Sequence, residues 1–294
     1  LTVREAQRRR LLWVALFMGI AFLLVFGIAF HYIQLDIERQ PTMEDQVSFV
    51  SVLLLTAGLY AVNLLVNVVA VLVSVTTISG EIESHTIDAI VTKPIPRWQV
   101  VVGKWLGFAV LVLGYLAMLV GGLMLIVYLR SGFYMDNIVR GVLMMALAAL
   151  LVLTMSIAGG TRLSTIANGV LTFMLFGIAF LGGLVEQVGA LIRNTAAVNV
   201  GIVSSLIMPA DSLWKKATAY FQPSDVSNPF ELGPFAAITE PSSLMVVYAV
   251  FYLIFLLALA MWFLLTARRE RAVAFFRAAR FWRRRQVGVA QNEA

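Results

Sequence analysis

The chain reads as an all-α polytopic membrane protein with six transmembrane helices, and three observations lead there. Hydrophobic residues make up 61% of the 294, charged residues only 13%, and mean hydropathy is +0.90, whereas a soluble domain holds roughly 45–50% apolar and about 25% charged residues. Six runs are long enough to cross ~30 Å of hydrocarbon, which takes about 20 mostly apolar residues. The charged residues fall between these runs. Cysteine is absent, which excludes disulfides and thiolate metal sites.

The elements follow in order as a single transmembrane domain over residues 1–294. A polar, Arg-rich stretch, residues 2–10, carries Arg8, Arg9 and Arg10 and precedes the first run. Spans are expected over 11–30, 52–76, 105–129, 141–160, 167–185 and 244–266. The first run is too long for a cleavable signal peptide and no small-residue cleavage pattern follows it, so it is expected to remain as a span. Residues 186–243 are too polar to span. Within them Pro209-Ala210-Asp211-Ser212 reads as a helix start, with Asp211 or Ser212 able to cap free amides, and Pro223, Pro229, Pro234 and Pro241 interrupt what comes after. The tail, 267–294, places Phe275, Ala279 and Trp282 on one helical face ringed by arginines, as a basic amphipathic helix on anionic lipid would.

Six spans put both termini on one side, and the basic residues choose the side. Sixteen of the 22 Lys and Arg fall in the N-terminus, the second and fourth loops and the tail, while ten of the 16 acids fall on the other face. Positive loops stay in the cytoplasm, so both termini are expected there. The +6 net charge is a topology signal and requires no nucleic acid.

The cytoplasmic loop after the second span is the one place where lipid-facing sequence turns polar. Ile82, Thr86 and Ile90 repeat at spacing four, with Glu81 and Glu83 ahead of them, which reads as a short amphipathic helix over 80–92 whose first turn holds the two acids. Pro94 and Pro96 end it. Lys93, Arg97 and Lys104 then meet the headgroups. By itself this pattern fits a solvated surface turn as well as a docking element.

The sequence Ser79-Gly80-Glu81-Ile82-Glu83, Thr86-Ile87-Asp88, Pro94-Ile95, Arg97 and Gly103-Lys104 resembles the permease signature of the ABC-2 family of ATP-binding-cassette transporters. It is similar in particular to the branch with the NosY-type and Na+-exporting permeases. His85 stands where that family more often has glycine. The resemblance implies a coupling helix that docks on a separate ATPase subunit, with Glu81, Ile82, Glu83, Thr86, Ile87, Asp88 and Ile90 as the contact residues. It further implies an interfacial elbow helix before the first span and short external helices before the last, closing the outer mouth. A second copy or a homologous permease would complete the pathway in a bacterial inner (plasma) membrane. ATP and Mg would sit on the partner, and this chain would hold no cofactor, metal or catalytic residue.

Other features bear on function. Asn63, Asn67, Thr154, Ser156, Asn168 and Thr172 are the polar residues within spans and are expected as packing contacts between helices. Gly121-Gly122, Gly159-Gly160 and Gly182-Gly183 permit close approach. No Asp, Glu, Lys or Arg lies near the middle of an expected span, which disfavours an ion-driven carrier. Gly103-Lys104 lacks the phosphate-loop pattern G-x-x-x-x-G-K-[ST], so energy must come from a partner. Three readings stand: the permease subunit of an exporter, a carrier driven by an ion gradient, and a non-transporting membrane scaffold.

Overall fold

A computed structural model describes residues 10–39, 47–83, 97–135, 137–221 and 240–263. The described residues form eight helices: α1 Arg10–Glu38, α2 Val47–Glu83, α3 Arg97–Ser131, α4 Ile138–Gly160, α5 Thr165–Leu191, α6 Thr195–Ile207, α7 Ala210–Phe221 and α8 Ser243–Phe263. Six carry apolar windows long enough to cross a bilayer: Leu12–Ile37, Val50–Val75, Val101–Ser131, Ile138–Gly160, Thr165–Leu191 and Ser243–Phe263. The fold class expected from composition therefore holds. The helices run several residues past the expected ends of spans one, three and five, because helical propensity does not stop where hydropathy falls.

The bundle is built around α2 and α4, whose apolar windows are 67% and 61% buried, while that of α1 is only 11% buried. Leu55, Leu59, Val62 and Val66 of α2 and Leu151, Val152 and Leu153 of α4 form the dry centre. Several polar side chains inside this core find partners on the helices, although the Ser156 hydroxyl has none. Trp105 Nε1 donates to Thr154 Oγ1 at 2.8 Å, Asn168 Nδ2 to the Ser156 carbonyl at 2.8 Å, Asn67 Nδ2 to the Asn63 carbonyl at 2.8 Å, and Thr172 Oγ1 to the Asn168 carbonyl at 2.8 Å. Asn63, Asn67, Thr154, Ser156, Asn168 and Thr172 are all buried, so the expected packing role fits their positions.

Two helix ends show how the chain turns between spans. Gly132, with φ of 63°, closes α3, and its amide donates to the Tyr128 carbonyl at 3.0 Å. At the end of α5 the same left-handed conformation falls on Arg193, φ 56°. There the Asn194 amide reaches back to the Gly189 carbonyl at 2.8 Å, closing the helix in a Schellman arrangement. Asn194 then starts α6, its Oδ1 accepting from the amides of Ala196 and Ala197.

Helices α6 and α7 meet at 109° and form a re-entrant hairpin. Each is about 20 Å long or less at 1.5 Å per residue, too short to cross alone. The close contacts fix the path. A β-carbon on Gly189 would lie 2.7 Å from Ala197, and one on Gly183 would lie 2.5 Å from the Asp211 carboxyl carbon, so α6 descends along α5. A β-carbon on Gly141 would overlap the Phe221 ring, so α7 climbs back to the start of α4. Both ends of the hairpin thus open on the end of the bundle where α5 finishes and α4 begins. The tip, near Met208 and Pro209, lies about 13 Å below the end of α5, given the position of Gly182 nine residues before Leu191.

Candidate functional site

Two regions carry polar chemistry: the re-entrant hairpin at one end of the bundle and the extended α2 at the other. In the hairpin, α7 starts after Pro209, whose carbonyl accepts from the Leu213 amide at 3.1 Å. The helix begins at Ala210, which places Asp211 and Ser212 inside its first turn and corrects the expectation that either would be the cap. Asp211 benefits there from the helix dipole. One turn on, Lys215 Nζ lies 3.2 Å from Asp211 Oδ2 and 2.8 Å from Glu186 Oε2 of α5. The side chains of Lys215, Asp211 and Glu186 are 2%, 10% and 12% exposed. Glycine makes this approach possible: Gly201 of α6 packs on Glu186 and Gly183 of α5 on Asp211, neither with room for a β-carbon.

The cluster is held on its other sides by aromatic residues and by the last span. Trp214 meets Tyr60 of α2 edge to face at 5.5 Å and Phe221 at 6.5 Å. Tyr248 and Tyr252, one turn apart on α8, donate to the carbonyls of Leu206 at 2.6 Å and Ile207 at 2.8 Å. Those carbonyls end α6 and have no partner within the helix, so α8 caps the hairpin tip. Lys216 Nζ pairs with Glu240 Oε1 at 2.5 Å, just ahead of α8. Glu240 is 59% exposed, and a pair so hydrated contributes little.

Sequence reading missed this cluster. It placed Glu186, Asp211, Lys215 and Lys216 together in an external polar segment, where charge implied water. The residue pair Asp211 and Lys215, at spacing four beside Gly182-Gly183-Leu184-Val185-Glu186, was the available signal: a cation and an acid on one helical face near a small-residue surface.

At the opposite end, α2 does not stop at its apolar window. The helix is continuous from Val47 to Glu83, so eight residues beyond Val75 extend it by about 12 Å. Val75 lies against Gly169, four residues into α5, so the last part of this stalk, about 6 Å, passes the start of α5. A separate helix beginning at residue 80 was expected; instead Glu81, Ile82 and Glu83 continue α2. No proline separates Val75 from Glu83, and one glycine is tolerated within a helix. Glu81 and Glu83 are consequently far from any helix N-terminus, and the dipole does not account for them.

Thr86, Ile87, Asp88, Ile90 and Lys93 lie outside the described residues, as do Arg8, Arg9 and Trp282 and with them the expected elbow and tail helices. Arg10 and Arg97 open α1 and α3, and Lys104 is half-buried one turn into the third apolar window. Arg162 stacks its guanidinium over Phe263 at 5.1 Å, joining the end of α8 to the turn between α4 and α5. The two ends of the bundle are therefore well separated. Among the described residues no cluster of His, Cys, Asp and Glu is suited to a metal ion.

A comparison with curated proteins found no match. The family model for ABC-2 family transporter protein matches residues 3–278. That span takes in all eight helices, the stalk and the re-entrant hairpin, and the chain belongs to the ABC-2 family of transporter proteins, membrane transport subunits.

Proposed function

We propose that this chain is the permease subunit of an ATP-driven exporter of the NosY-type and Na+-exporter-permease-like branch, working with a separate ATP-binding subunit that carries ATP and Mg. Glu81, Ile82, Glu83, Thr86, Ile87, Asp88 and Ile90 form the contact on that subunit. The observation that carries this reading is the stalk: a helix anchored in the core of the bundle continues about 12 Å beyond its apolar window and carries Glu81 and Glu83 in its last turn. A rigid helix from a docking loop into the most buried span is a lever, and displacement of its end is transmitted to α4 and α5, against which it packs.

The charge asymmetry supports a stalk on the cytoplasmic side, with Arg8, Arg9, Arg10, Lys93, Arg97, Lys104 and Trp282 at the headgroups of a bacterial plasma membrane. The hairpin then faces outside and forms the closed outer mouth. A second permease, identical or homologous, completes the pathway. Glu81→Ala combined with Glu83→Ala is expected to reduce co-purification of the ATPase subunit, or its coupled hydrolysis, by about tenfold, the scale of 1.4 kcal/mol. Membrane insertion and thermal stability should stay unchanged. Assembly and coupled hydrolysis equal to those of the unaltered protein would overturn the assignment.

A further inference from the structure

Helices α1 and α3 touch from their middle to the end away from the stalk and part toward the stalk end. A β-carbon on Gly122 would lie 2.7 Å from Leu23 and one on Gly19 would lie 3.0 Å from Leu119, whereas one on Gly114 would meet nothing within 4 Å. The parting leaves a groove of about 370 Å³, within the size range of sites that hold small ligands. Ala15 and Leu16 of α1 and Leu111 and Met118 of α3 form its walls, and the buried Val69 and Val73 of α2 form its floor. Trp13 and Val110 flank the opening and are 67% and 64% exposed. Both belong to apolar windows that cross the bilayer, so the groove opens on hydrocarbon.

Lys104 stands in line with this groove. Lys104, Leu111 and Met118 recur at spacing seven, two turns each, and share one face of α3. From Lys104 to Met118 the helix rises about 21 Å, which matches half of the ~40–45 Å of a bilayer with its headgroups. A molecule that fills this line carries a negative group at one end and one leaflet's depth of hydrocarbon behind it, and a phospholipid has that form. Resting on the placement of Lys104 at the headgroups, we propose that the groove between α1 and α3 binds one anionic phospholipid of the leaflet at the stalk end. Its phosphate meets the Lys104 ammonium, and one acyl chain runs along Leu111, Gly114 and Met118. The ammonium supplies charge-assisted hydrogen bonds to phosphate oxygens, while the walls gain dispersion contacts along the chain. Val73 stands two residues before the end of the α2 apolar window, so this acyl chain lies against the root of the stalk.

The test uses the full chain in phosphatidylcholine vesicles containing a minority of phosphatidylglycerol, without any ATPase subunit. A trace of phosphatidylglycerol or, separately, of phosphatidylcholine carries a photoreactive diazirine in its acyl chain, and the adducts are mapped by mass spectrometry. Adducts on Leu16, Leu111 and Met118 should exceed those on Ile166 and Val170, exposed residues at the same end of the bundle. The phosphatidylglycerol probe should give about fivefold more of them, the scale of one cation at an anionic surface. Gly114→Trp fills the groove and should bring these adducts down to the level at Ile166 and Val170; Gly114→Leu, a smaller filling, repeats the test if the first variant fails to fold. Lys104→Gln should erase the preference for phosphatidylglycerol, and Lys104→Arg should keep it. Groove adducts no more frequent than those at Ile166 and Val170, as where residues 1–9 or a second copy cover the groove, would overturn the proposal. Equal yields from the two probes, adducts that survive both fillings, or a preference that survives Lys104→Gln would overturn it as well. No ATPase subunit takes part, so a failure here leaves the docking assignment standing, and a loss of docking leaves the lipid site standing.

Discussion

The two ends of the bundle use charge in opposite ways. At the hairpin, Glu186 and Asp211 both contact Lys215 inside the protein, tying α7 to α5. At the stalk, Glu81 and Glu83 stand in the last turn of a helix that continues past its apolar window. Acids in polar sequence thus end up in different places: one pair packed among helices against a lysine, the other on the far end of a long helix.

This contrast is sharpest under mutation. Lys215→Met removes the cation that bridges two buried carboxylates and should cost about 3–5 kcal/mol. Thermal unfolding in nanodiscs would show a large fall in midpoint, with partial recovery when Glu186→Gln and Asp211→Asn are added. A midpoint within error of the parent would show that the cluster does not hold the hairpin. Glycine gives the next effect. A β-carbon on Gly201 would lie 2.7 Å from the Gly182 carbonyl oxygen, whereas one on Gly121 would meet nothing within 4 Å. Gly201→Ala should therefore destabilise by about 1–3 kcal/mol, while Gly121→Ala should be neutral or gain up to about 1 kcal/mol. Equal effects at the two sites would contradict the close packing of α5 on α6. The smallest change is expected at Arg193. Glycine there relieves roughly 1 kcal/mol of left-handed strain but adds freedom to the unfolded chain, a cost of about 0.4–1 kcal/mol. Arg193→Gly should leave the midpoint nearly unmoved.

Hydropathy made the six spans legible, because lipid admits only long apolar helices at those positions. Asn63, Asn67 and Asn168 were readable as packing groups for the same reason: an amide in lipid must find a partner. Lys215 was not readable. Its burial depends on Glu186, 29 residues away in sequence, and on two glycines that bring α6 and α7 against α5. A polarity reading assigns such a residue to water. Glu81 and Glu83 stood out by composition, but the shape that carries them did not: with no breaker after Val75 the helix continues through Glu83, where a new one had been expected.

The lever itself is the claim that most needs a direct measurement. Thr86→Cys, a single thiol in an otherwise cysteine-free chain, can be labelled with an impermeant maleimide from either face of the membrane, with and without the co-purifying ATPase subunit. Labelling from the cytoplasmic face alone, and protection when that subunit is bound, is the predicted result. Labelling from the external face, or a cytoplasmic rate unaffected by the bound subunit, would contradict it.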